Sequence, residues 1–193
     1  MRLTPLHDLT PEQARLRARL QERRGGVNGP FGVLLHSPEL GSRLEELSTS
    51  IMRDAALPPR LRELTLLIVA RRLDAQHSWL AHLDKGLAAG LDAAALARLA
   101  RGEEPGFPRA DEQILHEFVG QALETHFVDD ATYAAALARF GERALVDLVV
   151  AIGGFAALAL VLNTFQVDLP SGTEPPFPDV TGFRRTRRAG ATS

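Results

Sequence analysis

Apolar residues recur at three- and four-residue intervals through most of the chain, and cap and break signals between them divide it into helices. Thr10, Pro11 and Gln13 spell an N-cap, a first-turn proline and a capping-box partner, and Gly25-Gly26 ends the segment, so the first helix is predicted over 11–24. The stretch GGVNGPFG reads as a loop. Ser37-Pro38 opens a second helix, on which Leu40, Leu44, Leu47 and Ile51 form one buried face. Leu57-Pro58-Pro59 breaks the chain, and Leu61, Leu64, Leu67 and Ile68 carry a third helix to about Arg72. Asp74 is the expected start of a fourth, which Gly90 closes after Leu80, Leu83 and Leu87. A short helix follows over 92–101, and then GEEPGFPR, an expected linker between two helical halves. Helices are expected next near 110–125, 130–140 and 142–165, with Asp129 as a cap and Gly141 at a break. The segment past Asp168 is proline-rich and reads as a tail. Alternating β-branched runs are absent, so the expected fold is all-α, with six to nine helices and a central helical hairpin over residues 59–89.

A faint internal repeat accompanies this pattern. An offset of 84 places Leu64 on Leu148, Ile68 on Ile152, Glu63 on Asp147 and His82 on Gln166. The hydrophobic frame recurs while the polar chemistry does not, which fits either a degenerate duplication or two unrelated leucine-rich helices.

Composition narrows the function. At 193 residues the chain suits one compact domain or two small halves sharing a core, and a net charge of -2 gives no drive toward nucleic acid or an anionic membrane. With no cysteine there is no disulfide, thiolate metal site, iron–sulfur cluster or thiol nucleophile. The N-terminal residues lack the apolar stretch of a secretory signal, so a cytoplasmic location is expected. Leu148 to Leu162 is uncharged, but it is shorter than the ~20 residues of a bilayer span and reads as a core helix. Arg184, Arg185, Arg187 and Arg188 near the C-terminus read as a solvated end rather than a phosphate-binding patch.

Chemistry concentrates in residues 62–91. Ser78 and His82 lie four apart on one helical face, and Glu63 is expected one helix earlier, on the solvent-side or cleft edge of an otherwise apolar stripe. If the two helices form a hairpin, Glu63 approaches His82, and a carboxylate beside an imidazole makes a usable general acid or base. The same spacing also fits a structural reading, in which His82 is an interface histidine and Glu63 pairs with Arg60 or Arg62. His77 is five residues before His82, about 140° around the helix, so the two do not converge on one metal. No HExxH, EF-hand or glycine-rich phosphate motif is present, and neither a metal nor another cofactor is expected. His36 precedes a helix start and is a candidate to reach a cleft. Glu63, His82 and Ser78 are also the residue types of a serine hydrolase, but the strained G-x-S-x-G turn is missing.

Arg62-Glu63, the apolar helix, QHSW, His82 and Gly90-Leu91 together resemble the carboxymuconolactone decarboxylase and alkyl hydroperoxidase D-like family. The resemblance extends to FGVLLHSPEL (31–40) and FGERALVDLVVAIGGFAALALVLNTFQV (140–167). It implies a family domain over 30–169, an N-terminal helical extension over 1–29 and a Pro/Arg-rich tail over 170–193. It also implies homo-oligomers, as trimers, hexamers or dimers, acting on a small molecule without nucleic acid or membrane partners. In the peroxidase branch a glutamate, a CxxC pair and a histidine serve a reactive thiol; here Glu63, His77 and His82 match the polar positions, but Ala75 and Ser78 replace the cysteines. Serine cannot cycle through a sulfenic acid and a disulfide, so thiol peroxidase activity is excluded. The decarboxylase branch uses neither redox thiols nor a cofactor, which implies a lyase or related proton-transfer enzyme acting on a small oxygenated carboxylic acid or lactone. Glu63, His82 and His77 are then the expected catalytic residues. Ser78, Trp79, Arg60, Arg71 and His36 are expected to contact substrate, Trp79 as an apolar wall and an arginine on a carboxylate. The alternative is a non-catalytic oligomeric binding or structural module of the same fold.

Overall fold

The computed structural model describes residues 1–180. They form eight helices and no strand: α1 (Pro11–Arg24), α2 (Pro30–Leu34), α3 (Pro38–Asp54), α4 (Pro59–Arg72), α5 (Gln76–Ala88), α6 (Ala93–Arg101), α7 (Ala110–Glu124) and α8 (Asp130–Thr164). Several end signals act as expected, while Ser37 precedes α3 without a side-chain cap bond. Thr10 and Gln13 complete a reciprocal capping box, Gly25 closes α1 in the left-handed region at φ 71°, and Asp92 and Asp129 cap α6 and α8. Gly141, at φ 80° and ψ 164°, breaks α8 where a boundary between two helices is expected.

The helix α4 is the axis of the molecule. From Leu61 onward nearly all its residues are buried, because α5, α7 and α8 pack around it. A helix enclosed on all sides has no solvent face to receive a charge, so a carboxylate within it must find a partner in the interior. Glu63 is in this position. The hairpin turn to α5 is tight: the amide of Ala75 donates to Ala70 (2.7 Å) and that of Leu73 to Val69 (3.0 Å).

Three expectations are corrected. Asp74 does not open the fourth helix; it sits in the turn at φ 50°, its carboxylate accepts from Arg71 (2.7 Å), and α5 begins two residues later. The GGVNGPFG loop is shorter than expected, because α2, a five-residue helix too short to show a period, begins inside it at Pro30. The GEEPGFPR segment does not divide the chain into halves, since Phe107 is 2% exposed and belongs to a hydrophobic core that also includes α1, α4, α7 and α8.

Both flanking segments join that core. Leu16 and Leu20 of α1 are buried, and the amide of Arg2 donates to Phe165 beyond α8 (2.8 Å). Phe177, in the expected tail, is 4% exposed, meets Trp79 edge to face at 5.8 Å, and has the guanidinium of Arg71 above its ring at 4.9 Å. The arginines at 184, 185, 187 and 188 lie outside the described residues.

The 84-residue offset holds for burial and fails for topology. Leu148 and Ile152 are buried like Leu64 and Ile68, but the hairpin turn at 73–75 falls on 157–159, in mid-helix. Asp147 accepts from the backbone of Ala56 (2.8 Å) instead of meeting an imidazole. By length and composition α8 could cross a membrane, as a soluble protein's core helix also could; here Leu148, Phe155, Leu158 and Leu162 are buried.

Candidate active site

The hairpin brings Glu63 of α4 against α5. Its Oε2 lies 2.8 Å from Nδ1 of His82, and both side chains are mostly shielded from solvent. Phe155 of α8 packs edge to face on the His82 ring, with centroids 5.7 Å apart. The imidazole is thus held by a hydrogen bond on one edge and an aromatic contact on its body. With Nδ1 committed to Glu63, Nε2 is the nitrogen left to exchange a proton with a ligand.

His82 opens onto a cavity of about 260 Å³. The α5 wall is Ser78, Ala81, His82 and Lys85, spaced i, i+3, i+4 and i+7 on one face, with His77 beside them. Phe155, Leu158 and Leu162 of α8 and Met52 of α3 make the apolar side. The third side comes from the chain N-terminal to α3: Arg24 at the end of α1, and the loop through Gly29 to Phe31. Gly29 has φ 61°, and a Cβ there would lie 2.9 Å from Cε1 of His77, so only glycine lets this loop approach the imidazole so closely.

Arg24 is positioned by a buried carboxylate. Glu45 is fully buried, and Arg23 and Arg24 each reach it at 3.3 Å, with Arg19 at 3.9 Å. The Nη2 of Arg24 also donates to Ser48 (2.7 Å) and Thr49 (3.1 Å), and its guanidinium lies 4.2 Å from the centroid of the Phe31 ring. This network joins α1 to α3 and fixes a cation at the cavity.

Of the residues expected from sequence, Glu63, His82, His77 and Ser78 are brought together. The Ser78 hydroxyl lines the cavity and makes no hydrogen bond to His82. The others sit elsewhere. Trp79 is 2% exposed and packs on Phe177 in the core, because it points about 100° away from Ser78 around the helix. Arg60 is committed to Asp111 (2.7 Å) and to Glu112, pinning α4 to α7. Arg71 binds Asp74 and the Ala100 carbonyl. His36 is exposed on a separate hollow with Met1, Pro5 and Arg17. Sequence reasoning missed Arg24 and Lys85. Lys85 had a signal, lying three residues past His82 on the same face; Arg24 had none, because its place depends on α1 folding back.

Two roomier hollows lie away from this pair. One, of about 380 Å³, is bordered by Arg2, Asp74 and Asn163; the other, of about 400 Å³, by Arg71, Arg72 and His116. Neither contains a hydrogen-bonded carboxylate and imidazole among the described residues. Burial, only partly offset by Glu104, holds the His116 imidazole below its ordinary range. For Asp111 burial acts in the other direction, but the hydrogen bond and charge of Arg60, joined by Arg139, outweigh it and hold the carboxyl below its ordinary range.

The sequence matches no protein-family model, and no curated protein matches it. Solved structures do resemble the fold. A peroxidase-related protein from Ralstonia eutropha JMP134, described as an alkylhydroperoxidase AhpD core, superposes with a TM-score of 0.73 at 15% identity, over 88% of this chain and 92% of its own. An uncharacterized peroxidase-related protein from Silicibacter sp. TM1040 gives 0.73 at 15% identity, over 89% and 91%. A protein of unknown function from Agrobacterium tumefaciens, connected in its description with antioxidant defence and AhpD, gives 0.65 at 17%, over 74% and 99%. The chain therefore has the alkyl hydroperoxidase D-like fold. It has that fold without the sulfur of a thiol peroxidase, since it contains no cysteine.

Proposed function

We propose that the chain is an acid–base enzyme of the carboxymuconolactone decarboxylase type, a cytoplasmic lyase or related proton-transfer catalyst acting on a small oxygenated carboxylic acid or lactone. The observation that carries this reading is the Glu63–His82 pair, 2.8 Å apart and facing a cavity of about 260 Å³. Loss of carbon dioxide leaves an electron pair on a carbon conjugated to a carbonyl, so the reaction needs a donor for the resulting enolate oxygen and then a proton at carbon. His82 Nε2 supplies the proton, Glu63 holds the ring and balances its charge, and the Ser78 hydroxyl is available to the oxyanion. Met52, Phe155, Leu158 and Leu162 make one side of the cavity apolar, which strengthens the electrostatic contacts made beside them.

The chain acts as a homo-oligomer. Val146, Val149, Val150, Gly153 and Leu160 are exposed and fall within an arc of roughly 100° on α8. This apolar stripe lies on the same helix whose other face lines the cavity, and it suits a second copy.

Carboxylated lactones and β-keto acids should be screened for carbon dioxide release, with carbon–deuterium exchange in heavy water as a second readout. His82→Ala and Glu63→Gln are expected to lower the rate by about 10²–10⁴-fold with the fold intact. Equal rates in those variants would reject the assignment. Covalent labelling of Ser78 by a fluorophosphonate would instead make the protein a hydrolase, and ligand binding without turnover would make it a binding module.

A further inference from the structure

Among the described residues the cavity is lined by two cations and two imidazoles and by no carboxylate. Arg24 and Lys85 stand at it with His77 and His82, whereas Glu63 touches it only through His82 and Glu45 lies behind Arg24. In the cluster behind Arg24, Arg19, Arg23 and Arg24 face Glu45 and Glu46, so the arginines outnumber the carboxylates. Lys85 is exposed and makes no ion pair among the described residues. A protein of net charge -2 thus presents a positive hollow. Fixed charge of one sign beside low-dielectric walls concentrates ligands of the opposite sign.

The order of groups along α5 gives that field a direction. At 1.5 Å per residue His82 lies about 4.5 Å, and Ser78 about 10.5 Å, along the axis from Lys85. An anionic group at Lys85 therefore places the next one or two atoms of the same molecule over His82 Nε2, and the remainder toward Ser78 and the apolar side. We infer that Lys85, with Arg24 at the same cavity, is the carboxylate-recognition element of this site, and that the ligand is a small acid with an apolar body that carries a carboxylate it retains, separate from any carboxylate lost in the reaction. The inference rests on the acid–base reading for the position of the reacting atom, and on the cavity's charge alone for what binds. An ammonium that stabilises a carboxylate opposes its departure as carbon dioxide, so the carboxylate held by Lys85 is one the substrate keeps.

Benzoate and hexanoate, each paired with its uncharged amide, test this by calorimetric titration of the full chain. The acids are expected to bind and the amides to bind about tenfold more weakly, as losing one charge-assisted hydrogen bond implies. Lys85→Met should bring both acids down to the level of their amides without moving the amides, Lys85→Arg should retain acid binding, and added salt should weaken the acids only. Lys85 is exposed, so its replacement leaves the core untouched. Amides binding as tightly as acids, acid affinity unchanged in Lys85→Met, or no saturable binding of either acid would each overturn the inference. His82→Ala separates the two readings: acid binding retained with turnover lost supports both, acid binding with no turnover in any variant defeats the catalytic reading alone, and turnover with no preference for acids defeats the carboxylate site alone.

Discussion

His82 is held at one ring nitrogen and open at the other, and that asymmetry makes it usable. A histidine bonded at both nitrogens would be structural; one with neither bonded would rotate and lack a defined tautomer. Glu63 supplies the fixed bond at 2.8 Å from a position that solvent hardly reaches. His116 shows the opposite use of burial. It packs against Phe107 with ring centroids 5.6 Å apart, and burial holds its imidazole below the ordinary value of 6.5. The unfolded chain then binds more protons than the folded one as the pH falls through this range. Its contribution to stability is expected to be complete above about pH 6.5 and to drain away as the pH drops from there through the lower folded value. Urea midpoints measured across this interval should show that slope, and His116→Gln should flatten it; an unchanged slope in the variant would place the protons elsewhere.

At the scale of elements, the α4–α5 hairpin does most of the positioning. Its existence was legible, because the prolines at 58–59 and Gly90 bracket it and the apolar stripes need each other. Its turn was not: Asp74 has the chemistry of an N-cap, but Ala75 is drawn into the core and the helix starts after it. Tertiary burial overrode a local preference worth about 1 kcal/mol. The segment after Asp168 makes the same point, since its proline-rich composition hides a core residue. Phe177 fills a place beside Trp79 and Arg71, so Phe177→Ala is expected to cost about 3 kcal/mol in a denaturation experiment, as for other buried phenylalanines. Phe127→Ala, at an 80% exposed position, is the control and should change little. Equal stability in both variants would show that the C-terminal segment does not belong to the core.

For the whole molecule, α8 is the helix that is apolar on its exposed face as well as on its buried one. One face is core and cavity wall, and the other leaves valines and a leucine in solvent around Gly153, where nothing lies within 4 Å of a built Cβ. On the homo-oligomer reading, Val149→Glu places a charge in the contact and is expected to shift the mass measured by light scattering to that of the monomer, with helix content unchanged. An unshifted mass would assign the contact to another surface. The same scale explains the site's charge: the chain is nearly neutral overall, and folding gathers Arg24 from the first helix and Lys85 from the fifth around one hollow.

By itself the sequence determined the all-α class, most helix boundaries and the absence of thiol chemistry, and it singled out Glu63, Ser78 and His82 on a hairpin while leaving open whether His77 or His82 turns inward. Caps, periodicity and i, i+4 spacing are local, and the Glu63–His82 contact spans a single hairpin. Only the tertiary structure decided which arginine faces the cavity. Arg60 and Arg71 are nearer to His82 in sequence but are consumed by carboxylates and a carbonyl on α6, α7 and the hairpin turn, while Arg24 arrives from 58 positions away on α1, held there by Glu45. Sequence distance says nothing about such pairings, because a salt bridge forms with whatever charge the packed helices bring within reach.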